Sequence, residues 1–185
     1  MTEIIPIGEI KPIEIIKRIN LGEVFIYPTD TIYGLGCDAT NEGSVKSIRV
    51  IKQRFDKPFS VIAPNKLWIL RNFEANKSYI DKLPGPFTYI LKPRRNDLVA
   101  PSVVNGDTIG IRIPNHPIIP IIQKARRPFV TTSVNLAGEA PYTDIKKIPR
   151  AIIDSVDIVI DAGKLTNKPS TVLDLTDNLP RILRL

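Results

Sequence analysis

The feature that most restricts this chain is a polar turn held between two apolar runs. Val24-Phe25-Ile26-Tyr27 is strand-like, Leu35 to Ala39 is apolar again, and Pro28-Thr29-Asp30-Thr31-Ile32-Tyr33-Gly34 lies between them. Pro28 has a fixed φ and no N–H, so it can end a strand but cannot sit inside a ladder. Gly34 and Gly36 admit either positive φ or the close approach of another group. Two strands are therefore expected to meet here, with Thr29, Asp30 and Thr31 placing hydroxyls and a carboxylate at the mouth of a sheet. An ordinary polar turn is the competing reading, because Thr, Asp and Gly are common turn residues.

The remaining elements alternate. Pro12 suits the first turn of a helix over 11–20, with Ile15, Ile16 and Ile19 as its apolar stripe. Val45, Ile48 and Ile51 repeat at helical spacing, with Asn41 or Ser44 as the cap. Lys52 and Arg54 would point apart on a continuous helix, so they converge only if the helix has ended by Arg54. Pro58 supports an end there, because it drives the residue before it out of the α region. Strands are expected over 59–63 and 87–91, with helices over 66–73 and 77–83 between them. The irregular stretch 93–104 follows Lys92 and contains Arg94 and Arg95, and reads as a mobile loop over a site. Residues 108–113 alternate Ile109, Ile111 and Ile113 with Thr108, Gly110 and Arg112. Arg112 in mid-strand needs water or an anion, unless its face is simply solvent-exposed. His116 is read as a capping or packing residue opening a helix. Phe129-Val130 runs into Thr131-Thr132-Ser133-Val134-Asn135, a hydroxyl-rich turn able to cradle an oxyanion. A helix over 144–155 and strands over 157–160, 171–175 and 181–185 complete the chain. This order suits one α/β domain over 1–185, with three layers on a mixed β-sheet.

Composition narrows the function classes. Twenty-six Lys and Arg against 19 Asp and Glu give a net charge of +7, which favours anionic partners such as polyphosphate or RNA. Cys37 and His116 each stand alone. That excludes an internal disulfide and the usual zinc spacings, and a reducing cytoplasm is the expected setting. No apolar run approaches the roughly 18 to 20 residues that span a bilayer. The acidic opening Met1-Thr2-Glu3 lacks the basic start of a signal peptide. Neither a P-loop nor a G-x-G-x-x-G loop is present.

Several motifs fall in one order: Pro28 to Leu35; Lys52-Gln53-Arg54 with Lys57-Pro58; Pro84-Gly85-Pro86-Phe87-Thr88; Gly110 to Pro114; Thr131 to Asn135; and Pro169-Ser170-Thr171-Val172. In this order they resemble the YrdC family of threonylcarbamoyl-AMP synthases, over nearly the whole chain. The resemblance implies a twisted mixed sheet with a concave basic face. It implies condensation of L-threonine, bicarbonate or CO2, and ATP into threonylcarbamoyl-AMP and pyrophosphate. The product would serve tRNA modification through a downstream threonylcarbamoyl transferase complex. ATP contacts are implied for Lys52, Arg54, Lys57, Thr108, Ser133, Asn135, Pro141 and Arg184, with Lys52 and Arg54 closest to the chemistry. Threonine contacts are implied for Thr31, Arg112, Thr131 and Ser170. Mg2+ would enter through the ATP phosphates, without a protein carboxylate cage. Such a reaction asks for positioning and charge neutralisation more than for a nucleophile, and the chain offers dispersed cations and hydroxyls.

Three departures stand out. The loop between Arg54 and Pro58 is one residue shorter than in many relatives, with Phe55 where a proline is common. Ile62 stands where some relatives carry a histidine. The chain stops at Leu185 where relatives continue, so a short single-domain form is expected. Two other readings compete: a non-catalytic module binding tRNA or double-stranded RNA, and a carbamoyl-transfer domain of hydrogenase-maturation proteins. The missing zinc-type cysteine clusters argue against the latter.

Overall fold

The computed structural model describes every residue except Ala137 and Asn178. In chain order the strands are β1 (Glu3–Pro6), β2 (Phe25–Tyr27), β3 (Gly34–Gly36), β4 (Ser60–Ile62), β5 (Phe73–Glu74), β6 (Phe87–Pro93), β7 (Ile109–Arg112), β8 (Phe129–Ser133), β9 (Ile158–Asp161), β10 (Thr171–Asp174) and β11 (Arg181–Arg184). The helices are α1 (Pro12–Asn20), α2 (Glu42–Lys52), α3 (Lys66–Asn72), α4 (Lys77–Ile80), α5 (Ile119–Gln123) and α6 (Arg150–Ile153). The strands form one mixed sheet in the order β1-β9-β2-β3-β8-β4-β7-β6-β10-β11, with β5 beside β6.

The polar turn sits where β2 and β3 pair antiparallel, with Tyr27 opposite Gly34 and Phe25 opposite Gly36. Neither Gly34 nor Gly36 has positive φ. They are glycines because of close approach. A Cβ on Gly34 would lie 2.8 Å from the Tyr27 ring, and one on Gly36 would lie 2.1 Å from the Val130 carbonyl. This flat stretch lets Tyr27 reach across β3, donate from its hydroxyl to Thr131 Oγ1 at 2.7 Å, and meet the Phe129 ring edge-on.

Register then sorts the faces. Tyr27 lies opposite Gly34, Gly34 opposite Ser133, Thr131 opposite Ser60, Ser60 opposite Gly110, and Thr88 opposite Val172. Side chains alternate along each strand, so one face carries a row of hydroxyls ending at Arg112. The other face carries Ile26, Leu35, Val130, Val61, Ile111 and Tyr89, all 0–1% exposed. The helices bury matching stripes. Ile15 and Ile19 of α1, which packs on α5, are buried, as are Val45 and Ile48 of α2. Truncating such a residue to Ala costs about 2 to 5 kcal/mol.

Several expected elements change. β1, not anticipated, pairs parallel with β9 at one edge. The helix expected over 144–155 is a 3-10 turn, Ile145–Lys147, followed by α6; Pro149 interrupts it, having no N–H to continue the ladder. The helix expected to open at His116 starts at Ile119, although His116 Nδ1 accepts from the Ile118 N–H at 3.4 Å. Stretch 93–104 is no mobile cover: Leu98, Val99, Ala100 and Val103 are buried, and a 3-10 turn forms at Pro101–Val103. The polar face of β7 is not solvent-exposed either, since all four of its residues are buried.

Candidate active site

The hydroxyl row floors a cavity of about 170 Å3. Ser60, Thr88, Arg112, Thr131, Thr132 and Ser133 come from the sheet; Thr29, Thr31 and Ile32 from the polar turn; Pro169 and Ser170 from the approach to β10; Arg54 and Pro58 from the loop after α2; and Arg184 from β11.

Arg112 is 7% exposed. Its Nη2 donates to Asp30 Oδ1 at 2.8 Å, while Nε has no partner. Asp30 Oδ2 accepts from the Asn115 N–H at 2.9 Å. Burial pulls the Arg112 pKa down, and Asp30 opposes that. Thr31 is fixed from below: its N–H donates to Thr29 Oγ1 at 3.1 Å, and the two hydroxyls lie 2.9 Å apart. Ser170 Oγ lies 2.9 Å from Thr88 Oγ1 and accepts from Arg184 Nη2 at 3.0 Å.

Helix α2 ends at Lys52 because Gln53 turns left-handed, φ 50°, and the Arg54 N–H returns to the Arg49 carbonyl. The two cations then part. Arg54 borders the cavity, with Nη2 donating to the Pro58 carbonyl at 2.8 Å and Nε without a partner. Lys52 is 2% exposed and stands behind the wall. Its Nζ donates to the Ser133 carbonyl at 2.5 Å, and to the Asn135 carbonyl and Oδ1 at 2.9 Å each. Burial, then the nearby Arg54 charge, push its pKa down to about 8. Three neutral acceptors hold it, so it anchors the 133–135 turn.

Seven of the residues singled out from sequence border the cavity: Thr31, Arg54, Arg112, Thr131, Ser133, Ser170 and Arg184. Lys52 and Asn135 lie one layer behind. Lys57 is exposed, while Thr108 and Pro141 are half-buried, and none of these three borders the cavity. Sequence reasoning gave no role to Ser60, and Thr88 figured in it only as the end of the Pro84–Thr88 motif. Each is a single hydroxyl inside an apolar strand, and that interruption was the available signal. Ile62 is buried beside this floor, opposite Arg112 in register.

No thiol or imidazole lines the cavity. Cys37 is fully buried and its thiol is pushed far up, while burial lowers His116. Among the described residues, no cluster of His, Cys, Asp and Glu could hold a metal.

The Sua5–YciO–YrdC family profile, described as telomere recombination, matches residues 17–185. The chain belongs to this family. A Methanocaldococcus jannaschii relative is 40% identical, aligning 88% of this chain with 79% of its own length. The threonylcarbamoyl-AMP synthase of Pseudoalteromonas translucida is 32% identical over 83% of this chain and 87% of its own. P. abyssi Sua5, solved with L-threonine, superposes with a TM-score of 0.86 at 28% identity; 99% of this chain matches, but only 57% of Sua5. Escherichia coli YciO superposes at 0.85 with 26% identity, over 100% of this family member and 94% of YciO. Sua5 is thus a much longer chain, and YciO one of similar length.

Proposed function

We propose that the chain is an L-threonylcarbamoyladenylate synthase. One observation carries this reading: arginines from a loop, a central strand and an edge strand converge on a small hydroxyl-lined cavity. The cavity is smaller than the roughly 300 to 1,000 Å3 that encloses a drug-sized ligand. It suits one amino acid, with ATP lying across its mouth. The relatives named as synthases, and the threonine bound to Sua5, support the same reading.

In this account Arg112 orients the threonine carboxylate, and Thr31, Thr131 and Ser170 meet its hydroxyl. The neutral amine attacks the carbon of CO2 and releases a proton, or attacks bicarbonate, from which water leaves, so that either route ends at the carbamate. The resulting carbamate oxygen attacks the α-phosphorus, and pyrophosphate leaves. Two anions must meet, so Arg54 and Arg184 lower their repulsion while Ser133 and its turn position the phosphate. Lys52 and Asn135 serve by shaping that turn. Mg2+ fits only as a counter-ion carried by the triphosphate, because Asp30, the carboxylate beside the cavity, has both oxygens engaged. The product would pass to a threonylcarbamoyl transferase complex acting on tRNA, in the cytoplasm. No helix among the described residues is long and apolar enough to cross a membrane.

A double-stranded RNA module would need its cations along an outward face to follow phosphates. Here Arg54, Arg112 and Arg184 border one small cavity, which favours the synthase. Incubation with ATP, bicarbonate and labelled L-threonine should yield pyrophosphate and a labelled, magnesium-dependent adenylate. Neither product, together with retention of duplex RNA, would overturn the reading. L-serine should be a poorer substrate and L-valine poorer still, because a site built for a hydroxyl leaves its own polar groups unpaired when that hydroxyl is missing.

A further inference from the structure

Arg54 sits on a loop with little of its own to hold it. Phe55, Asp56 and Lys57 are exposed. The Arg54 side chain reaches back to the Pro58 carbonyl, so its placement depends on the shape of the whole 54–58 segment.

Asn105 Nδ2 donates to the Asp56 carbonyl in the middle of that segment, and from α2 a residue outside the motifs, Arg49, holds it on either side. It is 8% exposed. Its Nε donates to the Ser102 carbonyl at 2.7 Å, and its Nη1 donates to the Arg54 carbonyl at 3.0 Å and the Lys57 carbonyl at 3.2 Å. It thereby grips the segment near both ends. Its far anchor is fixed in turn, because the Glu42 carboxylate accepts from Ser102 N–H at 3.1 Å and Oγ at 2.5 Å. Both guanidiniums lie near one ring: Arg49 is 4.7 Å and Arg54 5.5 Å from the Phe59 centroid. Among the described residues, no carboxylate pairs with either arginine.

A buried guanidinium that donates only to neutral carbonyls is costly to desolvate. An apolar side chain could fill the same space, but it could not draw two loop carbonyls to one point. Two like charges kept together with no ion pair, and only the exposed Asp56 near Arg54, also leave a demand for an anion. We infer that Arg49 is a positioning residue for the nucleotide end of the site, acting through Arg54 on the phosphate chain. This inference rests on the synthase reading and adds to it a residue that touches no substrate.

The test is a double-mutant cycle on the full chain, with ATP and L-threonine affinities measured by calorimetry and stability by thermal denaturation. Arg49→Met should weaken ATP binding about tenfold or more and leave threonine binding within about twofold, because the Asp30–Arg112 side is untouched. Arg49→Lys keeps the charge but lacks the planar fork, so it should recover part of the loss. Arg49→Met/Arg54→Ala should bind ATP no more weakly than Arg54→Ala alone. ATP binding unchanged in Arg49→Met, or losses that multiply in the double variant, would overturn the inference and leave the synthase reading standing. Equal loss of ATP and threonine binding would show a merely structural role and overturn it too. If Arg49→Met does not fold, Arg49→Lys alone and combined with Arg54→Ala gives the same comparison. Wild-type protein that binds no ATP would remove the synthase reading, and the inference with it.

Discussion

Arg112 and Arg54 face one cavity from opposite kinds of support. Arg112 stands on β7, between β4 and β6, and cannot shift without disturbing two ladders. Asp30 offsets its charge at 2.8 Å. Arg54 stands on a loop, held by main-chain carbonyls, with no paired acid among the described residues. On the synthase reading, one pocket would treat two anions differently. A neutralised, rigid arginine offers direction, which suits a carboxylate. An uncompensated one offers net charge, which suits a polyphosphate.

The largest expected effect lies behind the loop side. Lys52→Met removes three hydrogen bonds to the 133–135 turn and takes a charged donor from the Ser133 and Asn135 carbonyls. We expect a stability loss of about 3 kcal/mol or more, together with loss of adenylate formation. Chemical denaturation checks the first and pyrophosphate release the second. A variant that is stable yet inactive would mean that Lys52 leaves its buried position to touch substrate.

The two arginines should then separate by what they damage. Arg112→Ala leaves Asp30, whose side chain is only 10% exposed, without its cation, so stability should fall by about 3 kcal/mol along with threonine affinity. Arg54→Ala takes an ion-pair partner from no buried charge. It should unfold like wild type yet lose about 1.5 to 3 kcal/mol of ATP affinity. Identical profiles for the two variants, in melting and in both titrations, would erase the distinction drawn between the walls.

A smaller effect should follow pH. The folded chain holds Lys52 down near 8, so above that point the unfolded chain binds more protons. This group's contribution to stability therefore rises with pH between about 8 and the ordinary lysine range. ATP affinity should move the other way, because the neutral amine has lost its charge and a donor. Melting temperature and ATP affinity should show opposite slopes across that window, and Lys52→Met should flatten both.

The smallest effect belongs to residues outside the contrast. Cys37→Ala/His116→Asn should keep turnover within about twofold, less than 0.5 kcal/mol of barrier. A loss beyond about tenfold with normal melting would mean that a thiol or imidazole belongs to the chemistry after all.

Much of this was legible before any fold was known. The end of α2 by Arg54 follows from Pro58, and the polar row of β7 from alternation. The hydroxyl-rich stretch after Phe129-Val130 was marked, but Thr131, Thr132 and Ser133 continue β8 and the turn comes only after them. The misses share a cause. Lys52 reads as a free cation at a helix end, yet its acceptors lie 81 and 83 residues away. Arg112 reads as a strand cation wanting an anion, and Asp30 is 82 residues away. Ser60 and Thr88 join the site only because β4 and β6 flank β7. The charged stretch after β6 looked like a surface lid, but Leu98, Val99, Ala100 and Val103 anchor it in the core.

By itself the sequence determined what short-range physics controls. Proline and glycine placed the breaks, side-chain period separated strands from helices, and the order of motifs marked the family. Tertiary structure decided which cation borders the cavity and which is held by the protein's own carbonyls. Lys52 and Arg54 are two residues apart with the same charge, and nothing local distinguishes them. A single left-handed residue, Gln53, sends one inward to a turn from a distant strand and the other to the cavity. Partners separated by some eighty residues are chosen by strand order and register. Those depend on the burial of the whole sheet, which no local window contains.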